Sequence, residues 1–239
     1  RDNVMKKIGV VGAHGFVGKA ICRSLLESDF IVSEITRENY SAKREEHYDI
    51  LINTAMPSRR YWALNNPEKD FEETVSKTAT LLYSWNYSKF VQISSMSSVL
   101  QLDAPYGVHK RAAEVLVENT DNTLIIRLGA LYGRGLDKSA LFDIINHNHF
   151  YVDINSEYNY IDVDIAASWI VQNLHQSGIK EVGAVDTISL REISRNIWDS
   201  PSYEGRTEKI YSTHIETGLP SSKKVLEYVD KLKENRGEV

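Results

Sequence analysis

The stretch that decides the fold is Lys7-Ile8-Gly9-Val10-Val11-Gly12-Ala13-His14-Gly15-Phe16-Val17-Gly18. Lys7 to Val11 is a short apolar strand candidate that runs straight into three glycines spaced three apart. From Val17 on, the helical pattern Val17, Ala20, Ile21, Leu25 and Leu26 falls on one face. Strand, glycine turn, helix is the arrangement a phosphate site needs. Glycine allows a tight turn and close approach of the backbone to a pyrophosphate, whose charge the amides and the helix dipole then stabilise. A glycine pattern alone is also what an ordinary turn looks like, so the rest of the chain must carry the assignment.

The following residues carry it. Phe30 to Ile35 reads as a second strand, and Asp49 to Asn53 as a third with the continuous apolar look of a buried parallel strand. Pro67 opens a helical pattern through Phe71, Val75, Ala79 and Leu82. The strand Phe90–Ile93, a serine-rich turn, a helix over 106–118 and a strand over 123–128 follow. Five strand candidates separated by helices predict an α/β protein, a doubly wound parallel sheet of the Rossmann type. Between Thr36 and Asp49 there is barely room for another strand and helix, so one strand of the usual sheet is expected to be missing. After about residue 130 the alternation weakens. Helical patterns at 139–147 and 164–175, a capping-box spacing at Ser189-Leu190-Arg191-Glu192 and a closing helix after Ser221 describe a more mixed half. The expected division is a dinucleotide-binding domain over 5–130 and a small substrate lobe over 131–239, interleaved with the main body.

The 239 residues hold 28 Lys+Arg against 33 Asp+Glu, a formal charge of −5, which offers no positive field for nucleic acid or an anionic membrane. No apolar run reaches the ~18 residues of a spanning helix. The first ten residues lack the apolar core of a secretory signal, and Met5 reads as a natural start. Cys22 is the only cysteine, so no disulfide framework exists and a reducing cytoplasm is expected. His147-Asn148-His149 lacks a carboxylate or cysteine companion at ligand spacing, and no metal is expected.

Two further sites carry chemistry. At the end of the second strand an acid would select a free ribose 2′-hydroxyl, but that slot holds Thr36. Arg37 beside it suits an adenine face and a 2′-phosphate, which points to NADP. Glu34 and Glu38 flank it, and either turned inward would favour NAD. Tyr106 and Lys110, four apart on one helix face, pair a phenol with an ammonium. A nearby cation lowers a phenol's pKa from about 10, so the phenol exchanges protons with a carbonyl or alcohol oxygen. Asn53-Thr54-Ala55 ends the third strand where Thr54 and Ala55 meet the cofactor. Arg59, Arg60, Tyr61 and Trp62 follow in a loop that overhangs it.

With these residues in view the chain resembles the extended branch of the short-chain dehydrogenase/reductase superfamily. The cofactor turn Gly12-Ala13-His14-Gly15-Phe16-Val17-Gly18, the active-site helix Tyr106-Gly107-x-x-Lys110, the strand and loop Arg127 to Gly135, and Tyr160 to Ala166 are similar to its motifs, in its order. The resemblance implies a nicotinamide cofactor held by Gly12, His14, Gly15, Phe16, Val17, Gly18, Arg37, Thr54, Ala55 and Lys110. It also implies hydride transfer to or from a sugar carbon of a nucleotide-linked sugar, and a homodimer joined through helices at 67–86 and 106–118. Where that branch places its catalytic Ser or Thr, this chain has Met96. A thioether cannot donate the hydrogen bond, so Ser95, or else Ser97, is expected to take over.

The leading expectation is an NADP-dependent reductase of a keto group on a nucleotide-activated deoxysugar, with Tyr106 as proton donor, Lys110 on the ribose and Ser95 on the carbonyl. A dehydratase is disfavoured, because acid and base carboxylates should follow the serine slot and Ser97-Ser98 stand there. An epimerase, and a cofactor-binding protein impaired at Met96, are the alternatives.

Overall fold

The computed structural model describes residues 5–195 and 197–236; the residues before Met5 lie outside them. The main sheet has six strands. β1 (Lys6–Val11), β2 (Phe30–Ile35), β3 (His47–Asn53), β4 (Asn86–Ser95) and β5 (Thr123–Leu128) are joined by a sixth, Gly178–Val182, in the order β2-β1-β3-β4-β5-sixth. β1 pairs in parallel with β2 and β3, and β3 with β4. The fold is thus the Rossmann-type doubly wound sheet expected from the sequence. The sixth strand was not among the five read there, because Gly178-Ile179-Lys180-Glu181-Val182 is short and has two charged residues at its centre.

Burial explains why both faces must be covered. Val11, Ile35, Leu51, Phe90 and Ile125 pack in one cluster with Leu81, Leu82, Trp85 and Val117. Their alternate neighbours Ile8, Val10, Ile50, Ile52, Val91, Leu124 and Ile126 are also buried, on the other face. α1 (Phe16–Leu26) follows β1. Between β2 and β3 there is only the four-residue α2 (Tyr40–Lys43), so β2 is the sheet edge and the missing strand is indeed absent. After β3 come α3 (Arg60–Asn65), α4 (Pro67–Phe71), a π turn at Glu72–Ser76 and α5 (Lys77–Ser84). α6 (Ser97–Leu100) and α7 (Pro105–Glu118) follow β4. The chain leaves β1 toward β2 and then returns to the opposite side of β1 as β3. That reversal puts a crevice at the carboxyl ends of β1 and β3, where such sheets bind ligands.

The chain divides into two compact units. One comprises the residues up to Arg127 with Ala167–Lys180, the other Leu128–Ala166 with Glu181 onward. The segment 167–180, which the sequence places with the substrate lobe, therefore packs with the sheet. Within the second unit Leu131–Tyr132 pairs with Ile161–Asp162, and Glu157–Tyr158 lies between Ile188–Ser189 and Lys209–Ile210. The capping box is formed in part: Ser189 Oγ accepts from the Glu192 amide at 3.1 Å. His147 stacks on Trp198, and His149 Nδ1 lies 2.7 Å from Ser202 Oγ. No group of three or more potential ligands among the described residues is placed to hold a metal, and no described helix is long and apolar enough to cross a membrane.

Candidate functional site

The glycine turn is built by the backbone. Gly12 has φ +81°, and a Cβ there would lie 2.9 Å from Ala55 Cα. The amides of Gly12 and Ala13 donate to Ile35 O at 2.9 and 3.3 Å, and that of Gly15 to Gly12 O at 2.9 Å. Thr54 Oγ1 donates to Val11 O at 2.7 Å, bracing the same turn. A Cβ on Gly18 would come within 2.2 Å of Gly12 O, so only glycine lets α1 press this close. Lys19 makes the first bond inside α1, to Gly15 O, and Gly15 supplies no side-chain cap. The first-turn amides of Phe16, Val17 and Gly18 therefore lack intrahelical partners, at the positive end of an eleven-residue helix with no acid in its first turn. The turn fits the pyrophosphate of a dinucleotide, with Gly12, Gly15 and Gly18 giving room and α1 the donors.

At the neighbouring end of β2 the side chains are more exposed. The Thr36 amide donates to Asn39 Oδ1 at 2.8 Å, and Asn39 Nδ2 to Glu34 O at 2.9 Å, closing a small turn. Glu34 Oε2 lies 3.2 Å from His14 Nε2. Glu38 is held below the usual carboxylate range by a hydrogen bond with the Thr36 side chain and then by its own backbone, with His14 and Arg37 adding charge. Both acids that could oppose a 2′-phosphate thus have partners of their own, and Arg37 is exposed.

The second cluster is buried. Tyr106 and Lys110 on α7 are 8% and 4% exposed, and Lys110 Nζ sits 5.2 Å from the centre of the Tyr106 ring. Gly107 lets the helix start against α6, since a Cβ there would meet Gln101 O at 2.1 Å. Burial pushes the Tyr106 phenol up, against Arg60's charge and a hydrogen bond with Ser95, which lower it, while Asp70 raises it further. Burial also pulls Lys110 from 10.5 down to about 7, against Asp70 and Glu114. The expected downward shift of the phenol is thus corrected: desolvation dominates both groups, and Arg60 is the cation acting on the tyrosine.

The serine turn is sorted by its partners. Ser94 and Ser98 each donate to Glu114 Oε1 at 2.6 Å, and Ser97 donates to Gln101 Oε1 at 2.7 Å. Ser95 Oγ accepts from the Ser97 amide at 3.2 Å and meets Tyr106. Met96 is completely buried. Glu114, also completely buried, accepts from Arg127 Nη2 at 2.7 Å and Arg111 Nη1 at 3.2 Å as well. It locks β4, α6, α7 and β5 together. Its only signal in the sequence is the spacing Tyr106, Lys110, Glu114, which puts all three on one helix face. Arg60, from the loop expected to overhang the cofactor, donates to Gln101 Oε1 at 3.2 Å. Asp70, whose Oδ2 lies 2.7 Å from His109 Nδ1, left no local signal.

A dinucleotide turn and a buried Tyr–Lys pair on one doubly wound sheet define a nicotinamide-dependent enzyme of the short-chain type. The family model for the NAD dependent epimerase/dehydratase family matches residues 8–164, and the chain belongs to that family. Its fold is shared by dTDP-4-dehydrorhamnose reductase from Bacillus anthracis, in complex with NADP (TM-score 0.78, 17% identity, covering 97% of this chain and 100% of that one). RMD from Pseudomonas aeruginosa, complexed with NADPH, gives 0.76, 18%, 97% and 100%. The UDP-glucose 4-epimerase of Thermotoga maritima, with UDP-glucose, gives 0.75, 14%, 96% and 99%. No curated protein matches the sequence.

Proposed function

We propose that this enzyme is an NADP-dependent reductase of a keto group on a nucleotide-activated deoxysugar. The observation that carries the reading is the trio Ser95, Tyr106 and Lys110: a phenol and an ammonium buried together, and the one serine of the turn whose hydroxyl is not donated to Glu114 or Gln101. A phenol held above 10 is fully protonated at neutral pH. That is the form a proton donor to a developing alkoxide requires. Ser95 donates to the same carbonyl oxygen and fixes its position, the role of an oxyanion donor. Lys110 holds the ribose and places positive charge beside the tyrosine as its proton leaves. The nicotinamide, when bound, supplies the hydride. Gly12, His14, Gly15, Phe16, Val17 and Gly18 would cradle the pyrophosphate of the dinucleotide, Thr54 and Ala55 would line the turn, and Arg37 would take the 2′-phosphate. The substrate class follows the reductases and the epimerase that share the fold.

A homodimer through the helices at 67–86 and 106–118 accounts for Phe71, Tyr83, Val108 and Val115, which are 47%, 69%, 44% and 42% exposed there. The test is a screen of nucleotide-linked keto-sugars with NADPH, following loss of the nicotinamide absorbance. It is paired with Tyr106→Phe, which is expected to lower kcat by about 10²–10⁴ while cofactor affinity holds. Wild-type turnover by the phenylalanine variant would remove the proposed acid. Interconversion of sugar epimers with no net NADPH consumption would make the protein an epimerase.

A further inference from the structure

Asp70 is a carboxylate with no place in the roles above. It lies in the first helical stretch after Pro67, and it is completely buried, as are Thr74 and Thr78 at the next two four-residue steps. A buried charge is costly unless partnered. One oxygen, Oδ2, is 2.7 Å from His109 Nδ1; the other, Oδ1, is buried with no hydrogen-bond partner, and so is Thr74 Oγ1. His109 precedes Lys110 on α7, against which α4 packs. Its ring also meets Phe71 edge-on at 5.5 Å.

We propose that Asp70, held in place by His109, is a positioning residue for the catalytic pair: its carboxylate is the buried counter-charge to Lys110 beside Tyr106. The proposal deepens the reading of that pair given above and rests on it for the chemical purpose. The other charged groups around Lys110 leave this role open. On its own helix, Tyr106 is neutral at working pH. Glu114 is already saturated by Ser94, Ser98, Arg111 and Arg127, the last a guanidinium only 11% exposed that balances its charge. Arg111 is further drawn off to Glu118. From α3 comes the cation Arg60, of the wrong sign. β4 and α6 contribute the serines and Met96, and the π turn with α5 contributes the ion pair Glu73–Lys77, each side chain 38% exposed. Asp70 remains as the buried anion without a guanidinium on it. Its charge supports Lys110 more than any other group does and acts on Tyr106 as well.

The test reads Lys110 directly, with no substrate. Lysine side-chain NMR titration of the whole protein, assigned with Lys110→Met, gives the midpoint of Lys110 in the wild type and in Asp70→Asn, Asp70→Ser and Asp70→Glu. Removing the anion should lower the midpoint by about one pH unit or more, as for a cation losing an adjacent carboxylate. Asp70→Glu should restore most of it. In a kcat–pH profile the neutral variants should shift in the same direction. An unchanged midpoint in either folded neutral variant overturns the proposal. So does failure of both to fold, which would make Asp70 purely structural. A protein that reduces no keto-sugar yet shows the shift would sink the functional reading and leave this one standing.

Discussion

The glycine turn and the Tyr106–Lys110 cluster sit on the same sheet but are made of different material. The turn is backbone: a positive φ, three amides bonded to nearby carbonyls, three first-turn amides held back, and glycines where a single carbon would collide. The cluster is side chain, assembled from α3, α4, β4, α6, α7 and β5, and buried deeply enough that desolvation governs the protons of Tyr106 and Lys110. A site of the first kind depends on its glycines and on few side chains, Thr54 among them. A site of the second kind depends on distant residues that balance one another's charge.

The largest expected effect tests that dependence. Glu114→Ala deletes the acceptor shared by Ser94, Ser98, Arg111 and Arg127 and leaves Arg127 without the carboxylate it faces. The loss should be about 3–5 kcal/mol of stability by urea unfolding, as for other broken buried pairs. A loss under about 1 kcal/mol would mean that the cluster is no more interdependent than the turn. Next comes the turn itself. Gly18→Ala puts a methyl 2.2 Å from a carbonyl oxygen that cannot swing aside. It should cost about 1–3 kcal/mol and weaken dinucleotide binding with it. Stability lost without affinity lost would show that α1 does not carry the pyrophosphate.

These two predictions mark where sequence was informative. The turn was legible because its parts are adjacent: three glycines, a strand before and a helix after. β2 and β5 fall on 30–35 and 123–128, as the apolar pattern had them, because Asp29 and Thr36 bound the first, and Asn122 and Gly129 the second. Tyr106 and Lys110 were legible as a pair, being one helical turn apart. What set their chemistry was not. Asp70 and Arg60 are 36 and 46 residues from Tyr106 in the chain, and no local pattern announces that they converge on it. The upward shift of the phenol follows from burial, which spacing alone does not show. Gly178–Val182 was missed because its charges hide a strand whose partner is the sheet rather than its own alternation.

Lys110 gives a pH signature that separates the two regions further. Its proton leaves near pH 7 in the folded protein and near 10.5 in the unfolded chain. Between those values the unfolded chain carries a proton that the folded one has lost, so unfolding free energy rises with pH, by up to about 1.4 kcal/mol per pH unit. Below pH 7 the full cost of the buried charge remains. The difference between wild type and Lys110→Met, measured by urea unfolding from pH 7 to 10, should show this slope. A flat difference would mean that the lysine is better solvated than its 4% exposure implies.

The smallest effect belongs to the outer edge of the turn, where the comparison is sharpest because side chains replace backbone and water is everywhere. Arg37 is exposed, so its contact with a 2′-phosphate is a screened charge-assisted bond, worth about tenfold in affinity rather than the several orders available to a buried pair. NADPH should bind about tenfold more tightly than NADH at low ionic strength. The preference should shrink as salt is added, and Arg37→Ala should abolish it. The acids nearby do not reverse this, because Glu38 is engaged by Thr36 and Glu34 by His14. The second engagement is the weak point, since both groups are exposed and 3.2 Å apart. His14→Ala should therefore release Glu34 toward the ribose and shift the preference to NADH. If it does not, and Arg37→Ala also leaves the cofactor ratio unchanged, selection lies with neither charge, and the edge of β2 plays no part in choosing between the two cofactors.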